Sequence, residues 1–506
     1  MRIEPTLENF KREYENGAPQ VVWTTLVADL ETPVSAMLKL SDGVDYAFLL
    51  ESVEGGAVRG RYSIIGLRPD VIWRSHGPQA EINRKATIDP EGPFEPCPET
   101  TLDALRTLLA ESHIDLPEEL PPMAAGVFGY MGYDMVRLME DLPEPNTDII
   151  EVPDSIMIRP TVMAIFDSVK DEVTVASPVY VNEDARAGAA YARAVDRIMV
   201  VMDALDQPLD RQANREAEVP EYSAPVSNTT PEDYKAMVKK AQEYVLAGDV
   251  FQVVLSQRFE TPFTLPPFSL YRALRRVNPS PFLYCLNFGD FSIIGSSPEI
   301  LVRVRDGNVT IRPIAGTRPR GATPAEDAAL AEELLADPKE CAEHLMLLDL
   351  GRNDVGRVAE IGSIEVTDQF ILEYYSQVMH IVSNVEGRLN SDHDAISALV
   401  AGYPAGTVSG APKVRAMEII DELEKDKRGP YAGCVGYFSA NGQMDTCIVL
   451  RTAIVKDGKM YVQAGAGIVA DSVPESEHEE CINKAKALFR AAEEAVRFSG
   501  QPVRGQ

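Results

Sequence analysis

Eight short runs rich in β-branched and aromatic residues fill the second half of the chain, at 251–255, 282–286, 291–295, 301–304, 309–313, 431–439, 445–455 and 459–464. Several are neighbours joined by turns such as Arg305-Asp306-Gly307-Asn308 and Lys456-Asp457-Gly458-Lys459, which is hairpin chemistry. Helices do not alternate with them in a βαβ rhythm. The spacing therefore predicts an α+β fold with antiparallel sheets covered by helices.

The best-marked helix begins in that half. Asp337 can cap it, Pro338 suits its first position, and Glu340 completes a capping-box pattern. Glu340 and Glu343 are three apart, so they project side by side with Leu347 one turn on. Such a pair is either part of a covered site or a solvated face. A second Glu-x-x-Glu lies on the C-terminal helix, where Ser472 and Glu475 read as a capping box and Glu477, Glu480 and Lys484 share a face. Brought together, the four carboxylates would suit magnesium, with one or two direct ligands and others acting through water.

The first part, 1–206, reads as strands at 46–50, 62–65 and 71–73, with a Gly55-Gly56 turn between the first two. A helix at 101–110, a hairpin of 158–166 with 172–181, and a long helix at 184–205 follow. Glycines and aromatics cluster in GVFGYMGYD, 126–134, where close backbone approach is expected. Residues 207–228 are polar, rich in Pro and Ser, and read as a linker to a second domain at 229–506. That domain opens with a helix capped by Thr230, striped with Tyr234, Met237, Val238, Ala241 and Val245, and stopped at Gly248.

A formal charge of −30 argues against nucleic acid or an anionic membrane as partner, so an anionic ligand must be drawn by local cations. No apolar run approaches a membrane span, and the N-terminal stretch lacks a signal-peptide layout; a cytoplasmic protein is expected. Six scattered cysteines without a C-x-x-C pair read as reduced thiols. Cys434 resembles a glutaminase nucleophile turn, but Phe438 stands where a polar partner is usual, and a thiol nucleophile is rejected. His380 sits among apolar residues on a strand candidate, as a satisfied core histidine or an acid–base group. Gly465-Ala466-Gly467 opens like a dinucleotide fingerprint, but Pro474 delays the helix and no acidic residue follows at the required distance. It reads as either a tight turn or a place where a carboxylate meets backbone N–H groups. GTVSGAPK, 406–413, leads an amphipathic helix with the same two readings.

The motifs PIAGTRPRG (313–321), AEHLMLLDLGRND (342–354), VMHIVSNVEG (378–387), AGYPAGTVSGAPK (401–413), RGPYAGCVGY (428–437) and QAGAGIVADS (463–472) occur in one order. On them the chain resembles the chorismate-utilising enzymes, most closely the anthranilate-forming branch. The resemblance spans nearly all of 230–498 and implies that family's fold, a sandwich of antiparallel sheets with helices outside. It implies Glu343 and Glu480 as direct magnesium ligands, with Glu340 and Glu477 in water-bridged support. It places Gly316, Thr317, Tyr431, Arg451, Gly465, Ala466, Gly467 and Lys484 around chorismate.

The implied reaction adds ammonia at ring carbon 2 with loss of the carbon 4 hydroxyl, then eliminates pyruvate. On this reading His380 protonates the departing hydroxyl, supported by Thr407. Two positions bear on the branch. Aminodeoxychorismate synthases typically carry a lysine where this chain has Ala315, and isochorismate and salicylate synthases use a lysine where it has Gln252. Ammonia brings its own lone pair, so Gln252 suffices.

LLES (49–52) and NPSPFLY (278–284) resemble the branch's feedback pocket for tryptophan, implying Glu51, Ser52, Pro281, Phe282, Leu283 and Cys447 as inhibitor-binding residues. Phe282 and Leu283 depart from the Tyr and Met common there. The 1–206 stretch would then be regulatory. No glutaminase nucleophile turn, G-x-C-x-G-x-Q, occurs, so a separate glutamine amidotransferase subunit is implied as partner, commonly in a heterotetramer. A non-enzymatic tryptophan-binding regulator is the alternative from another class, opposed by the intact Glu343, Glu480, His380 and Lys484.

Overall fold

Two long strands organise the molecule in its computed structural model, which describes residues 2–41, 43–54, 58–182, 185–209, 223–375 and 378–499. Val58–His76 and Ser155–Asp167 run antiparallel to each other, and each changes its other partner part-way. Val58–His76 pairs first with Ala47–Glu54 and later with Gln79–Asn83. Ser155–Asp167 pairs first with Gly126–Met131 and later with Glu172–Val179. The change falls between Arg68 and Val71, where the register shifts and Arg68 has φ 51°. One ribbon thereby serves two sheets, which is how strands make the corner of a sandwich.

From that corner the first sheet runs through Ala47–Glu54, Phe282–Asn287, Phe291–Ser297, Thr452–Lys456 and Lys459–Ile468 to Gln252–Pro262. The second runs through Gly126–Met131, Cys434–Ser439, Met444–Ile448, Ile300–Arg305 and Asn308–Ile311 to Val378–Arg388. That last strand also holds Ile314–Pro319 and Glu365–Tyr374. All of these pairings are antiparallel, as the hairpin spacing predicts.

Between the layers lies a core of strand and loop side chains, including Phe48, Ile72, Phe128, Tyr130, Tyr284 and Ile293. Further cores sit outside. One packs the helices Pro267–Val277 and Pro474–Ser499 against the first sheet, and another packs Thr101–Glu111 and Pro338–Gly356 against the second. Helix Lys413–Leu423 packs with Pro231–Ala247 on the Gln252–Pro262 strand of the first sheet. Each fully buried large apolar side chain contributes about 1.5–3 kcal/mol. The sandwich with helices outside thus follows from faces that each need a cover.

The expected 1–206 and 229–506 stretches share both sheets, since Ala47–Glu54 pairs with Phe282–Asn287 and Gly126–Met131 with Cys434–Ser439. Residues 210–222 of the expected linker and the Gly55-Gly56 turn lie outside the described residues. GVFGYMGYD does need its glycines: a Cβ at Gly129 would lie 1.9 Å from the Ile156 carbonyl oxygen.

Several expected elements change form. The strands at 62–65 and 71–73 are one ribbon. The run 445–455 is broken at Val449–Arg451, with Arg451 left-handed at φ 47°. The strand expected from 431 starts at Cys434, because Ala432 sits at φ 66° in a turn. Glu365–Tyr374 is an extra strand; its mostly exposed or half-buried residues carry no apolar alternation to mark it.

Candidate active site

The Pro338 helix starts as expected, with the Asp337 carboxylate accepting from the N–H groups of Lys339 at 2.9 Å and Glu340 at 3.4 Å. The expected capping box does not close. Asp337 also ends the helix Pro324–Ala336, so its own N–H donates to Leu334 O at 3.3 Å, and Glu340 pairs with Arg318 at 3.3 Å. Glu343 accepts from Gln252 Nε2 at 2.9 Å.

At the C-terminal helix the Ser472–Glu475 box is also absent. The Ser472 hydroxyl accepts from Val469 N–H at 3.1 Å, and Glu475 pairs with Lys235 at 3.1 Å. Glu480 pairs with Lys484 at 2.7 Å, and Lys484 also donates to Gly465 O at 2.9 Å.

Electrostatics join the two helices. Burial raises the Glu343 carboxyl above its ordinary value, and the negative charges of Glu340 and Glu480 raise it further. Burial likewise raises Glu477, with Glu480 adding. Glu343 thus lies within electrostatic reach of Glu340 on its own helix and of Glu480 on the other, and Glu480 within reach of Glu477. Gly316, at φ +68°, packs beside Glu340, and a Cβ there would lie 3.2 Å from Glu340 Oε2.

Among the described residues no three acids, thiols or imidazoles form a ready metal cage. The donor set nevertheless fits magnesium, which keeps waters and accepts substrate oxygens beside one or two carboxylates.

The floor comes from the strands. Gly465, Ala466 and Gly467 pair with Ser256, Leu255 and Val254 on one side, while the opposite neighbour, Thr452–Lys456, stops pairing at Val462. One backbone edge of this stretch is thus left open among the described strands. Gln252 packs on Gly467, where a Cβ would meet Nε2 at 2.3 Å, and Tyr431 packs by its hydroxyl on Gly465, at 2.9 Å from such a Cβ. The Gln252 Oε1 is buried without a partner. Arg451, at the break in the expected strand, sits beside Glu299 and Tyr375; burial lowers its guanidinium below its ordinary value. Among the described residues no carboxylate lies within ion-pair range of Arg451.

His380 is buried at 7% exposure. Its Nδ1 lies 3.0 Å from Thr317 Oγ1 and 3.1 Å from Gly316 O. A carbonyl oxygen only accepts, so Nδ1 carries the hydrogen and Nε2 holds the free lone pair. Burial, with Arg451 nearby, lowers the imidazole to about 4. His380 is therefore neutral near pH 7, which suits a base better than the expected acid.

Thr407 does not support it. Its hydroxyl donates to Glu299 Oε1 at 3.1 Å. Glu299 is a residue that the motif reading passed over. It is 6% exposed, and burial pushes its carboxyl up to about 8 despite Thr407, Ile314 N–H, Arg451 and Lys484 pulling it down. A carboxylate set between Pro298 and Ile300 in an apolar hairpin was the available signal.

The two stretches of the expected tryptophan pocket meet directly: Glu51 pairs with Leu283 and Ser52 with Phe282. Side chains alternate across the strands, so Leu283 joins the helix-covered core while Phe282 and Cys447 join the core between the sheets. Pro281, just before the strand, is half-buried. Glu51 accepts from Arg275 at 2.7 and 3.0 Å, from Ser63 at 3.2 Å and from the Tyr271 hydroxyl. Cys434 lies deep in the second sheet, its thiol pushed up to about 12 by burial, which agrees with rejecting it as a nucleophile.

Residues 63–490 match the family described as chorismate binding enzyme. The chain belongs to that family. It groups within it with anthranilate synthase component 1, and it is a lyase of that kind. A protein of that description from Cereibacter sphaeroides is 57% identical over 99% of this chain and 100% of its own length. One from Pseudomonas putida is 47% identical over 94% of this chain and 95% of its own. The crystal structure of anthranilate synthase component I from Streptococcus pneumoniae superposes with a TM-score of 0.75 at 39% identity, covering 86% of this chain and 93% of that one. A menaquinone-specific isochorismate synthase from Escherichia coli shares the fold, with a TM-score of 0.70 at 19% identity, covering 96% and 98%. Among the described residues no helix is long and apolar enough to cross a membrane.

Proposed function

We propose that this chain uses magnesium to convert chorismate and ammonia to anthranilate and pyruvate, and that Arg451, a cation with no carboxylate partner among the described residues, is the observation that carries the site assignment. Chorismate is a dianion. Its enolpyruvyl carboxylate would meet Arg451 and the open N–H edge at Gly465–Gly467, beside Tyr431 and Lys484. Its ring carboxylate would face Glu343 and Glu480, with Glu340 and Glu477 behind water. Magnesium, when bound there, neutralises these like charges.

Two of the proton transfers then fall to Glu299 and His380. Ammonia, accepted by the free Gln252 Oε1, adds at carbon 2, and Glu299, protonated below about pH 8, gives its proton to the departing carbon 4 hydroxyl. His380, held through Nδ1 by Gly316 O and Thr317, takes the carbon 2 proton at Nε2 as the carbon 3 oxygen bond breaks and enolpyruvate leaves; the added ammonium gives its surplus proton to water, and enolpyruvate takes one from water to become pyruvate. Gln252 cannot activate water as a lysine would, which supports amination over the isochorismate reaction.

Ammonia is supplied by a glutamine amidotransferase partner subunit, a reading that rests on the component 1 description of the relatives. Tryptophan binding at Glu51, Ser52 and Pro281–Leu283 would close the pathway's feedback. The purified chain is expected to form fluorescent anthranilate from chorismate, magnesium and ammonium, and none from glutamine until the partner is added. A hydroxylated product, or glutamine use by the single chain, would overturn the reading.

A further inference from the structure

Glu299 and Thr407 also line a second, half-enclosed cavity of about 30 Å³, shared with Gly351 and Asp354 of the Pro338 helix and with Gly402. A water needs roughly 10–15 Å³ of such space, so about two fit. Asp354 is 4% exposed. Its Oδ2 accepts from Lys413 Nζ at 2.7 Å, while its Oδ1 is buried without a partner. Lys413 donates also to Gly402 O at 3.3 Å. The remaining charged group on the lining, Arg312, is taken up by Glu373. The wall is mostly aliphatic, yet it holds an orphaned carboxylate oxygen, a carboxyl and a hydroxyl, which offer water the several partners it requires.

The proposed reaction leaves Glu299 short of one proton in every turnover, at a moment when the ring fills the side from which bulk water would reach it. We propose that waters in this cavity connect Glu299 to the Asp354–Lys413 pair, and that Asp354 is a positioning residue through which Glu299 regains its proton. The inference rests on Glu299 being the acid. In balance, the water next to Glu299 gives it one proton and takes one from the neighbouring water. That water takes one from Asp354, which receives it from the Lys413 ammonium. The resulting amine recovers a proton from solvent, to which Lys413 keeps 11% of its side chain open. Around the pair stand Arg357 and Glu140, themselves 3.8 Å apart. Around Glu299 stand Arg451, Lys484 and Tyr375, with His380 beside Arg451.

Gly351→Ala tests this without touching a charge. The added Cβ would sit 3.5 Å from Ile311 and 3.9 Å from Pro313, both on the cavity wall, at ordinary contact distance. Alanine is also the better helix former, so the variant should fold. Filling the space should lower kcat about tenfold, leave the KM for chorismate unchanged, and make kcat rise with added imidazolium buffer, a small external acid. A paired Asp354→Asn, Lys413→Met variant should behave alike. If Gly351→Ala keeps the parent kcat, or loses it without buffer rescue, the relay is overturned. Glu299→Gln separates the premises: an inactive Glu299→Gln beside a fully active Gly351→Ala removes the relay alone, whereas an active Glu299→Gln removes the acid.

Discussion

The carboxylate at Glu51 is buried and those around Glu343 are half-buried to exposed, and the two regions answer their charges in opposite ways. Glu51 is saturated by Arg275, Tyr271 and Ser63. Glu343 receives one bond from a neutral amide, while other acids crowd it and Arg451 nearby has no acid partner among the described residues. A saturated charge holds the fold together; a charge left partly unanswered stores the attraction for a ligand. The Glu51 ribbon therefore reads as a closed latch joining strand Ala47–Glu54 to helix Pro267–Val277. That helix packs against Pro474–Ser499, which carries Glu477 and Glu480.

If the reacting region behaved like the saturated one, loss of Glu299 would cost stability and spare turnover. Glu299→Gln should lower kcat by about 10²–10⁴-fold with chorismate still bound, because the acid is lost but the pocket is not. In the parent, kcat/KM should fall as pH rises through about 8, where Glu299 loses its proton, and as it falls through about 4, where His380 gains one. The same group links to stability. A free glutamate gives up its proton near 4.5, whereas folded Glu299 holds it to about 8, so its contribution declines as pH rises across that window. A flat kcat/KM profile between pH 7 and pH 9 would reject the assignment.

At the latch the effect should be on folding. Glu51→Ala strands Arg275, whose side chain keeps 20% exposure, and should lower the unfolding free energy by about 3 kcal/mol, seen in urea titration. The KM for chorismate should stay put while any tryptophan response disappears. Unchanged stability would mean the two regions differ less than their contacts suggest. The smallest effect is expected at Glu343: Glu343→Gln should raise the magnesium needed for half-maximal activity by about 10–100-fold with little change in thermal stability, since among the described residues no salt bridge depends on it.

Much of the local structure around the candidate site was legible because its motifs are local. Asp337 capping, the i and i+3 glutamate pairs and the Gly-Ala-Gly edge all depend on near neighbours in the chain. Glu299 and its hydrogen bond from Thr407 were not legible, since burial of one carboxyl and its hydroxyl partner is created by segments far apart in sequence. Both capping boxes failed for a related reason. A carboxylate that could close a local box found a stronger partner from elsewhere, Arg318 for Glu340 and Lys235 for Glu475.

What the chain determined by itself was periodicity: hairpin turns, helix starts and the residues each element shows on one face, all of which are set by backbone sterics and short-range hydrogen bonds. Only the tertiary structure decided which charges end up answered. Desolvation and pairing depend on everything within a few ångströms, and the fold alone brings Glu343 near Glu480, bends Arg451 out of its strand, lowers the His380 imidazole and raises the Glu299 carboxyl.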